Sequence, residues 1–392
     1  MKPLRILTFS TLYPNESQPN HGVFVENRLR HLIGTGKVES IVVAPVPYFP
    51  ARMPEFARWG IYARVPRIET RHGLMAYHPR YPVIPKIGVN VAPWLLAAGS
   101  LRLLNDVIQS GYDFDLIDAH YMYPDGVAAA WLGRLLRKPV VVTVRGTDIN
   151  MIPRYRLPRR LIQRALKRLA GVIAVSEALK EAVIAIGGKP EDVTVLRNGV
   201  DLNLFVPVDR MAARRRLDLN GPTLLSVGHL IERKGHDLVI RALSELAGYQ
   251  LLIIGEGPER EALARLAEQL GVTSRVRFLG TQPHSLLPSF YGAADALILA
   301  SSREGWANVL LEAMACGTPV VASNIWGNPE VVRSPEAGRL MAERTPAAVV
   351  SAVGSLFASL PDRAATRRYA ESFSWDDTSD GQVALFRRIL SG

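Results

Sequence analysis

Arg233 and Lys234 stand side by side within Gly228-His229-Leu230-Ile231-Glu232-Arg233-Lys234-Gly235, directly after the apolar run Thr223–Val227. Arginine offers a planar fork of donors and lysine a compact point charge, so the pair suits a diphosphate. If that diphosphate departs in the reaction, the positive charge matters most as its bond breaks. A solvated loop with two surface cations is the plain alternative. Farther on, Glu304 and Glu312 lie eight positions apart in Glu304-Gly305-Trp306-Ala307-Asn308-Val309-Leu310-Leu311-Glu312. A wholly helical path would separate their backbones by about 12 Å. That is beyond the roughly 5–9.5 Å between the carboxyls of a glycoside-hydrolase pair. It suits one extended ligand held at two ends. A helix starting near Ala307, Asn308, Val309 and Leu310 would offer free N–H groups and a positive dipole end to phosphates between them.

Gly255-Glu256-Gly257-Pro258-Glu259-Arg260 begins like a dinucleotide fingerprint, but Arg260 stands where the third glycine belongs, which argues against NAD. Its glycines either let the backbone approach a ligand or turn the chain tightly. In the first half, Gly22 should open a helix whose apolar side is Val23, Phe24, Leu29, Leu32 and Ile33. A glycine there permits close approach of a phosphate or sugar to the backbone. His120, in Asp118-Ala119-His120-Tyr121, could exchange hydrogen bonds with a sugar hydroxyl, and an ordinary histidine changes charge near neutral pH. Arg145, in Val144-Arg145-Gly146-Thr147-Asp148, could grip an acceptor phosphate or carboxylate, or brace Asp148. Ser176 reads as a helix cap.

These residues need elements to hold them at strand ends. Apolar runs alternate with helical patterns throughout, which predicts parallel sheets covered by helices. Strands are expected at Leu4–Ser10, Ser40–Ala44, Leu116–Ala119, Val140–Val144, Gly171–Val175 and Val193–Leu196. A second series follows at Thr223–Val227, Gln250–Ile254, Val276–Leu279, Ala296–Ala300 and Pro319–Ala322, with helices at Asp237–Ala247, Pro258–Leu270, Pro288–Ala293 and Val309–Cys316. The turn signal Asn198-Gly199-Val200-Asp201 marks the boundary between the two series. The proline- and aromatic-rich segment Pro45–Pro93 reads as an irregular insertion belonging to an acceptor site. Open parallel sheets bind ligands beyond the carboxyl ends of their strands, so a cleft between two such domains is the expected site.

The composition fits this reading. A chain of 392 residues is long for one core, and 48% hydrophobic with 21% charged residues is ordinary for a globular protein. The longest apolar stretch, Val91–Leu101, ends at Arg102, short of the about 18 residues a membrane span needs. No secretory signal pattern is visible, and the single cysteine, Cys316, fits a reducing cytosol. The net charge of +11 attracts phosphates or anionic membrane, or serves solubility. It concentrates in Arg154–Arg168, where Leu161, Ile162, Ala165, Leu166 and Leu169 recur at helical spacing. Such a helix lies on a bilayer or packs on a core with its charges in water.

The run EGWANVLLEAMACGTPVV, Glu304 to Val321, resembles the signature of glycosyltransferase family 4. Counterparts of GHLIERKG, LLIIGEGPER, RNGVDLNLF and WGNPEVV occur in the same order, so the resemblance spans nearly the whole chain. It implies the α/β GT-B fold: two facing Rossmann-like domains with parallel sheets and an interdomain cleft. The expected domains are an acceptor domain at 1–200, a donor domain at 201–370 and a last helix, 371–392, crossing back to the first domain. By resemblance, Arg233 and Lys234 bind the donor diphosphate, Glu312 the ribose, and Glu304 lies by the donor sugar. The backbone of Ala307, Asn308, Val309 and Leu310 touches sugar and phosphate. Leu279, Thr281 and Gly255 lie by the base, and Gly22 faces the diphosphate. His120 takes the place of the family's histidine, although Asp118 replaces the first histidine of that pattern. Arg145 likewise stands where the family often has histidine, and with Asp148 is assigned to the acceptor.

The reaction so implied is retaining transfer of a sugar from a nucleotide donor, a UDP- or GDP-sugar, with no metal and no other cofactor. The first-half loops most resemble enzymes of bacterial cell-surface polysaccharide and lipopolysaccharide assembly. A glycan or lipid-linked acceptor, a cytoplasmic location at the inner face of the membrane with peripheral anionic contact, and no nucleic acid partner are the corresponding expectations. Two alternatives are a GT-B-like nucleotide-sugar epimerase and a catalytically silent sugar-nucleotide-binding protein. Conversion of donor without acceptor marks the first, and binding without turnover the second.

Overall fold

A computed structural model describes residues 2–48, 57–84 and 88–392. The chain divides into two compact units, Met1–Arg197 with Asp376–Gly392, and Asn198–Trp375.

Among the described residues the first unit holds β1 (Leu4–Phe9), β2 (Val38–Val43), β3 (Val46–Pro47), β4 (Ile68–Arg71), β5 (Leu74–Tyr77), β6 (Arg80–Tyr81), β7 (Leu116–His120), β8 (Val140–Val144), β9 (Gly171–Ala174) and β10 (Val193–Val195). The main sheet runs β10-β9-β8-β7-β1-β2-β5-β4, and β3 pairs with β6 alone. Every residue of β7 and β8 is buried. Burial on both faces of a parallel sheet is why β8 reads as a nearly unbroken apolar run, while β7 buries Asp118 and His120 as well. The segment Pro45–Pro93, part of which lies outside the described residues, supplies β3 to β6. Its β4–β5 pair is antiparallel, joined through His72 and Gly73, both at positive φ. Two positive φ values in a two-residue loop match the twist of a hairpin. The terminal helix Trp375–Ser391 packs Val383, Leu385 and Phe386 against Ile6, Leu116, Val141 and Ile173 of this core.

The second unit carries β11 (Thr223–Val227), β12 (Gln250–Ile254), β13 (Val276–Phe278), β14 (Ala296–Leu299), β15 (Val320–Ser323) and β16 (Gly338–Met341). They form one parallel sheet, β13-β12-β11-β14-β15-β16. Its helices include His236–Glu245, Arg260–Gln269, Leu287–Ala293 and Asn308–Ala315, close to the sequence expectations. The parallel α/β fold class is as expected, and the strand β16 is an addition.

Two local expectations resolve differently. The helix Val23–Gly34 begins after Gly22, but its buried residues are Val25, Glu26, Arg28, Leu29 and Leu32. Glu26 is buried because Arg71 Nε donates to it at 2.8 Å, so the apolar stripe shifts round to share the face with paired charges. The basic helix Arg156–Leu166 buries Leu161, Ile162, Ala165 and Leu166. Its apolar stripe is therefore spent on the core and is not free to enter a bilayer. Ser176 caps the helix Glu177–Ala185 as expected, its Oγ accepting from Leu179 N at 3.2 Å.

Candidate active site

Each main sheet has one place where the chain changes direction across it. In the second unit β11 leads to β12 and β13 on one side, and β14 to β16 lie on the other. The crevice beyond the carboxyl ends of β11 and β14 is the position at which open parallel sheets generally take ligands. The loops leaving those two strands carry Arg233, Lys234 and Glu304, and the structure brings them together. Lys234 Nζ donates to Glu304 Oε1 at 2.6 Å, and Arg233 NH1 lies 3.5 Å from Oε2. Ser301 Oγ donates to Oε1 at 2.7 Å, and Arg233 also donates to the Arg303 carbonyl at 2.7 Å. Burial pushes the Glu304 carboxyl up, but Lys234, Arg233 and the hydrogen bonds outweigh it and hold it below the usual carboxylate range. Two cations share one carboxylate, so the cluster keeps an excess positive charge.

The surrounding backbone is fixed by glycine. Gly255 (φ +140°) sits so close to Gly228 that a Cβ would overlap the Gly228 carbonyl oxygen, and its N–H donates to Gly280 O at 2.9 Å. The tight-packing reading of this glycine is thus sufficient. Leu279 N donates to Ile253 O at 2.8 Å, and Thr281 beyond it is exposed. These residues gather at the carboxyl ends of β11, β12 and β13.

Glu312 lies in the helix Asn308–Ala315 and is separately braced. Tyr291 Oη donates to its Oε2 at 2.7 Å, and His284 Nε2 lies 3.6 Å from Oε1. The bond to Glu312, working against burial, raises the His284 pKa. At the helix start Asn308 Oδ1 accepts from Asn198 Nδ2 at 3.2 Å. The Leu310 N–H donates to Ala307 O at 3.0 Å, so of the expected backbone donors this one is already engaged. Asn308 and Val309 occupy the first-turn positions, whose N–H groups a helix leaves without internal acceptors.

In the first unit the corresponding change of direction lies between β1 and β7. There a buried polar cluster joins residues far apart in sequence. Arg145 donates from NH2 to His120 Nδ1 at 2.8 Å, and His120 Nε2 faces Asp118 Oδ2 at 3.5 Å. Arginine cannot accept, so Nδ1 carries no proton and the ring is neutral with its proton on Nε2, toward the carboxylate. Burial lowers the His120 pKa against the opposing pull of Asp118. The ring is 1% exposed and both nitrogens are turned to protein groups. In this arrangement His120 braces Arg145, and its Nε2, 3.5 Å from Asp118, makes no hydrogen bond among the described residues. Asp148 accepts from the backbone N–H groups of Met122 at 2.7 Å, Gly146 at 2.7 Å and Arg145 at 3.1 Å. The bracing between Arg145 and Asp148 thus runs from carboxylate to loop backbone, leaving the guanidinium for His120 and for the face of Phe24, 5.2 Å away. Gly22 (φ +72°) packs where a Cβ would overlap the Leu12 backbone, a structural demand for glycine independent of any ligand.

Several residues of these clusters escaped the sequence reading. Gln382 donates to Asp118 Oδ2 at 2.9 Å and accepts from Arg28 Nε at 2.8 Å. Asp125, fully buried, accepts from Thr11 N and from Thr11 Oγ1 at 3.1 Å; burial lifts its carboxyl to about 7. Ser301 had a detectable signal, since it precedes Glu304 by three positions at the end of an apolar run. Gln382 had none, being 264 positions from Asp118. Among the described residues no group of three or more His, Cys, Asp or Glu side chains could hold a metal ion.

The chain matches "Glycosyltransferase Family 4" over residues 69–204 and "Glycosyl transferases group 1" over residues 208–373. It is 33% identical over 319 residues to D-inositol 3-phosphate glycosyltransferase of Mycobacterium tuberculosis, covering 75% of this chain and 65% of that protein. The chain thus spans just under two thirds of the length of the curated relatives it matches. Among solved structures, sucrose-phosphate synthase from Thermosynechococcus elongatus aligns with a TM-score of 0.79 at 20% identity, over 99% of each chain. Anabaena HepE in complex with UDP and glucose aligns with a TM-score of 0.74 at 20% identity, over 98% of this chain and 100% of that one. At such identities the likeness shows the fold, the GT-B type with two Rossmann-like domains.

Proposed function

We infer that this chain, which carries a glycosyltransferase family 4 region followed by a group 1 region, transfers a sugar from a nucleotide-sugar donor to a hydroxyl acceptor. The observation that carries the reading is the convergence of Arg233, Lys234 and Glu304 at the switch point of a parallel sheet. A departing nucleoside diphosphate gathers negative charge as the glycosidic bond breaks. Fixed cations aimed at that position stabilise the transition state without having to reorganise. Lys234 and Arg233 have this role, and Glu304 holds both in place until the diphosphate arrives, then lies beside the donor sugar. Glu312, oriented by Tyr291, receives the ribose hydroxyls, and the start of helix Asn308–Ala315 faces the phosphates. Leu279, Thr281 and Gly255 line the base position. Arg145, held by His120 and by the loop that Asp148 fixes, serves the acceptor.

The binding of UDP by HepE favours a uridine donor as the first to test. Retention of anomeric configuration, a metal-independent reaction, a glycan or lipid-linked acceptor of the cell surface and action at the cytoplasmic face of the membrane complete the reading. The decisive experiment incubates the protein with UDP- and GDP-sugars in EDTA, with and without acceptor pools. Acceptor-dependent release of nucleoside diphosphate with an unchanged anomer supports the reading. Donor isomerisation without acceptor would instead identify an epimerase, and binding without turnover a silent protein.

A further inference from the structure

The segment of the first unit between β2 and β7 builds two cavities that meet at one side chain. The larger, about 640 Å³, is walled by Val83, Ile84, Val89, Ala92, Leu95 and Ile152. Tyr123 also lines it, and its hydroxyl is satisfied by the Val89 carbonyl, which leaves its ring as apolar wall. The smaller, about 190 Å³, is lined by hydrogen-bonding groups that include Thr11, Tyr13, Asn15, His21 and His78. Tyr81 belongs to both walls. Tyr13 lines the smaller cavity, and its buried hydroxyl has no hydrogen-bond partner among the described residues. A buried hydroxyl without a partner is the mark of a place where a ligand's polar atom belongs.

The apolar wall comes from the helix Gly88–Gln109, which is long and apolar enough by composition to cross a membrane, yet only 33% of its most apolar window is buried. Its Ala92 and Leu95 are only half-buried where they line the chamber. Val89 at the chamber mouth is 61% exposed. Beside the chamber, Ile152 begins the turn Ile152–Arg154, and the exposed cations Arg154, Arg156, Arg159, Arg160 and Arg164 follow. None of these five makes an ion pair with an acidic residue among the described residues. Their helix packs on Gly88–Gln109. A solvated basic face alone would need no adjoining apolar chamber, and an apolar chamber alone would need no cations.

We propose that the acceptor of this protein is a lipid with a phosphate-bearing, hydroxylated head. Its hydrocarbon chain occupies the chamber formed by Val83, Ile84, Val89, Ala92, Leu95 and Ile152. Its phosphate meets the Arg154–Arg164 cations, and its hydroxyls pass Tyr81 into the Tyr13 cavity. This rests on the glycosyltransferase reading only for the word acceptor; the binding itself stands apart from it.

The test measures binding of butyl, octyl and dodecyl phosphate to the full chain below their micelle concentrations, by calorimetry, beside UDP binding in the same preparation. Each methylene that enters an apolar site strengthens binding by up to about fourfold. Affinity should therefore climb steeply from butyl to dodecyl in the wild type. Val89→Asp, at an exposed position, and Ala92→Trp, which fills the chamber, should each flatten that climb at least tenfold while leaving UDP binding unchanged. Arg154→Glu combined with Arg156→Glu should weaken dodecyl phosphate and reduce its salt dependence. Equal affinity for butyl and dodecyl phosphate, or a chain-length effect untouched by both chamber variants, overturns the proposal. Binding seen only with anionic vesicles and never with monomeric alkyl phosphate also overturns it, in favour of a bilayer surface. A protein that binds dodecyl phosphate but no nucleotide would refute the transferase reading and leave this one standing.

Discussion

Replacing Glu304 by glutamine separates the two tasks given to that carboxylate. The substitution keeps one acceptor oxygen for Lys234 and Ser301 but removes the negative charge between two cations. A charge-assisted hydrogen bond contributes about 1.5–3 kcal/mol, and Arg233, with a side chain 28% exposed, adds little. The fully buried figure of about 3–5 kcal/mol does not apply, because both cations reach solvent. The unliganded protein should thus lose about 2 kcal/mol, a melting shift of roughly 4–8 °C in the second unit. Binding of UDP should move the other way. At an effective dielectric near 20, a unit charge about 6 Å from a diphosphate oxygen contributes about 3 kcal/mol; screening reduces this to roughly a tenfold gain in affinity. The pH dependence gives an independent check. The folded-state pKa of Glu304 is depressed below 4.5, so its stabilisation is present above that value and disappears as pH falls through the folded pKa. The glutamine variant should lack this acid-side loss. Calorimetric scans from pH 3 to 7, with and without UDP, measure all three effects. A variant as stable as the wild type that binds UDP no better would refute the shared charge site.

Lys234→Ala removes a cation expected to act mainly in the transition state, so turnover should drop about 10²–10³-fold with little change in donor KM; the reverse pattern would mark a ground-state contact. Asp125 is pushed up to about 7 from an ordinary 3.8, so its raised pKa favours folding most below the unfolded value, and that contribution is lost as pH rises through about 7. The wild type should accordingly lose up to about 4 kcal/mol between pH 4 and 7 from this group, and Asp125→Asn, which can keep both Thr11 bonds, should remove that slope from urea titrations. Gly255→Ala places a Cβ on the Gly228 carbonyl at φ +140° and should cost at least about 3 kcal/mol; normal stability with lost UDP binding would show instead that the glycine serves the ligand.

How much of this was legible in the sequence follows from what each feature depends on. Strands such as β8, with five buried residues reading Val-Val-Val-Thr-Val, announce themselves because both faces are covered. Strand β16 did not: it begins at Gly338, whose lack of a side chain is demanded by the Val320 carbonyl, and its Arg339 breaks the apolar run. Arg233 and Lys234 were legible as neighbours in sequence following a strand. Their joining to Glu304 across 70 positions depends on β11 and β14 lying side by side, a property of topology. The pairing of His120 with Arg145 was not legible for a related reason. Residue type says that a histidine can donate, accept or titrate; only the partners on its two nitrogens decide which. Gln382 shows the limit of local reading, since its place in the Asp118 cluster comes from the last helix returning to the first unit.

The two clusters also differ in how they dispose of charge, and that difference bears on the tasks proposed for them. In the first unit Arg28 and Arg145 are buried within electrostatic reach of Asp118, and Arg145 of Asp148 as well, with a neutral His120 bonded to Arg145, so two buried cations are offset by two buried carboxylates. A balanced, buried network fixes geometry, because any displaced member leaves another uncompensated. It has little charge to offer a ligand. In the second unit two cations share one carboxylate at a strand end, and both cations keep contact with solvent. An anion entering there meets an unmet positive charge and displaces only water and one competing carboxylate. On the proposed function, the electrostatic work of holding a leaving diphosphate falls to the second unit, and the first unit's contribution is to hold Arg145 in a fixed place.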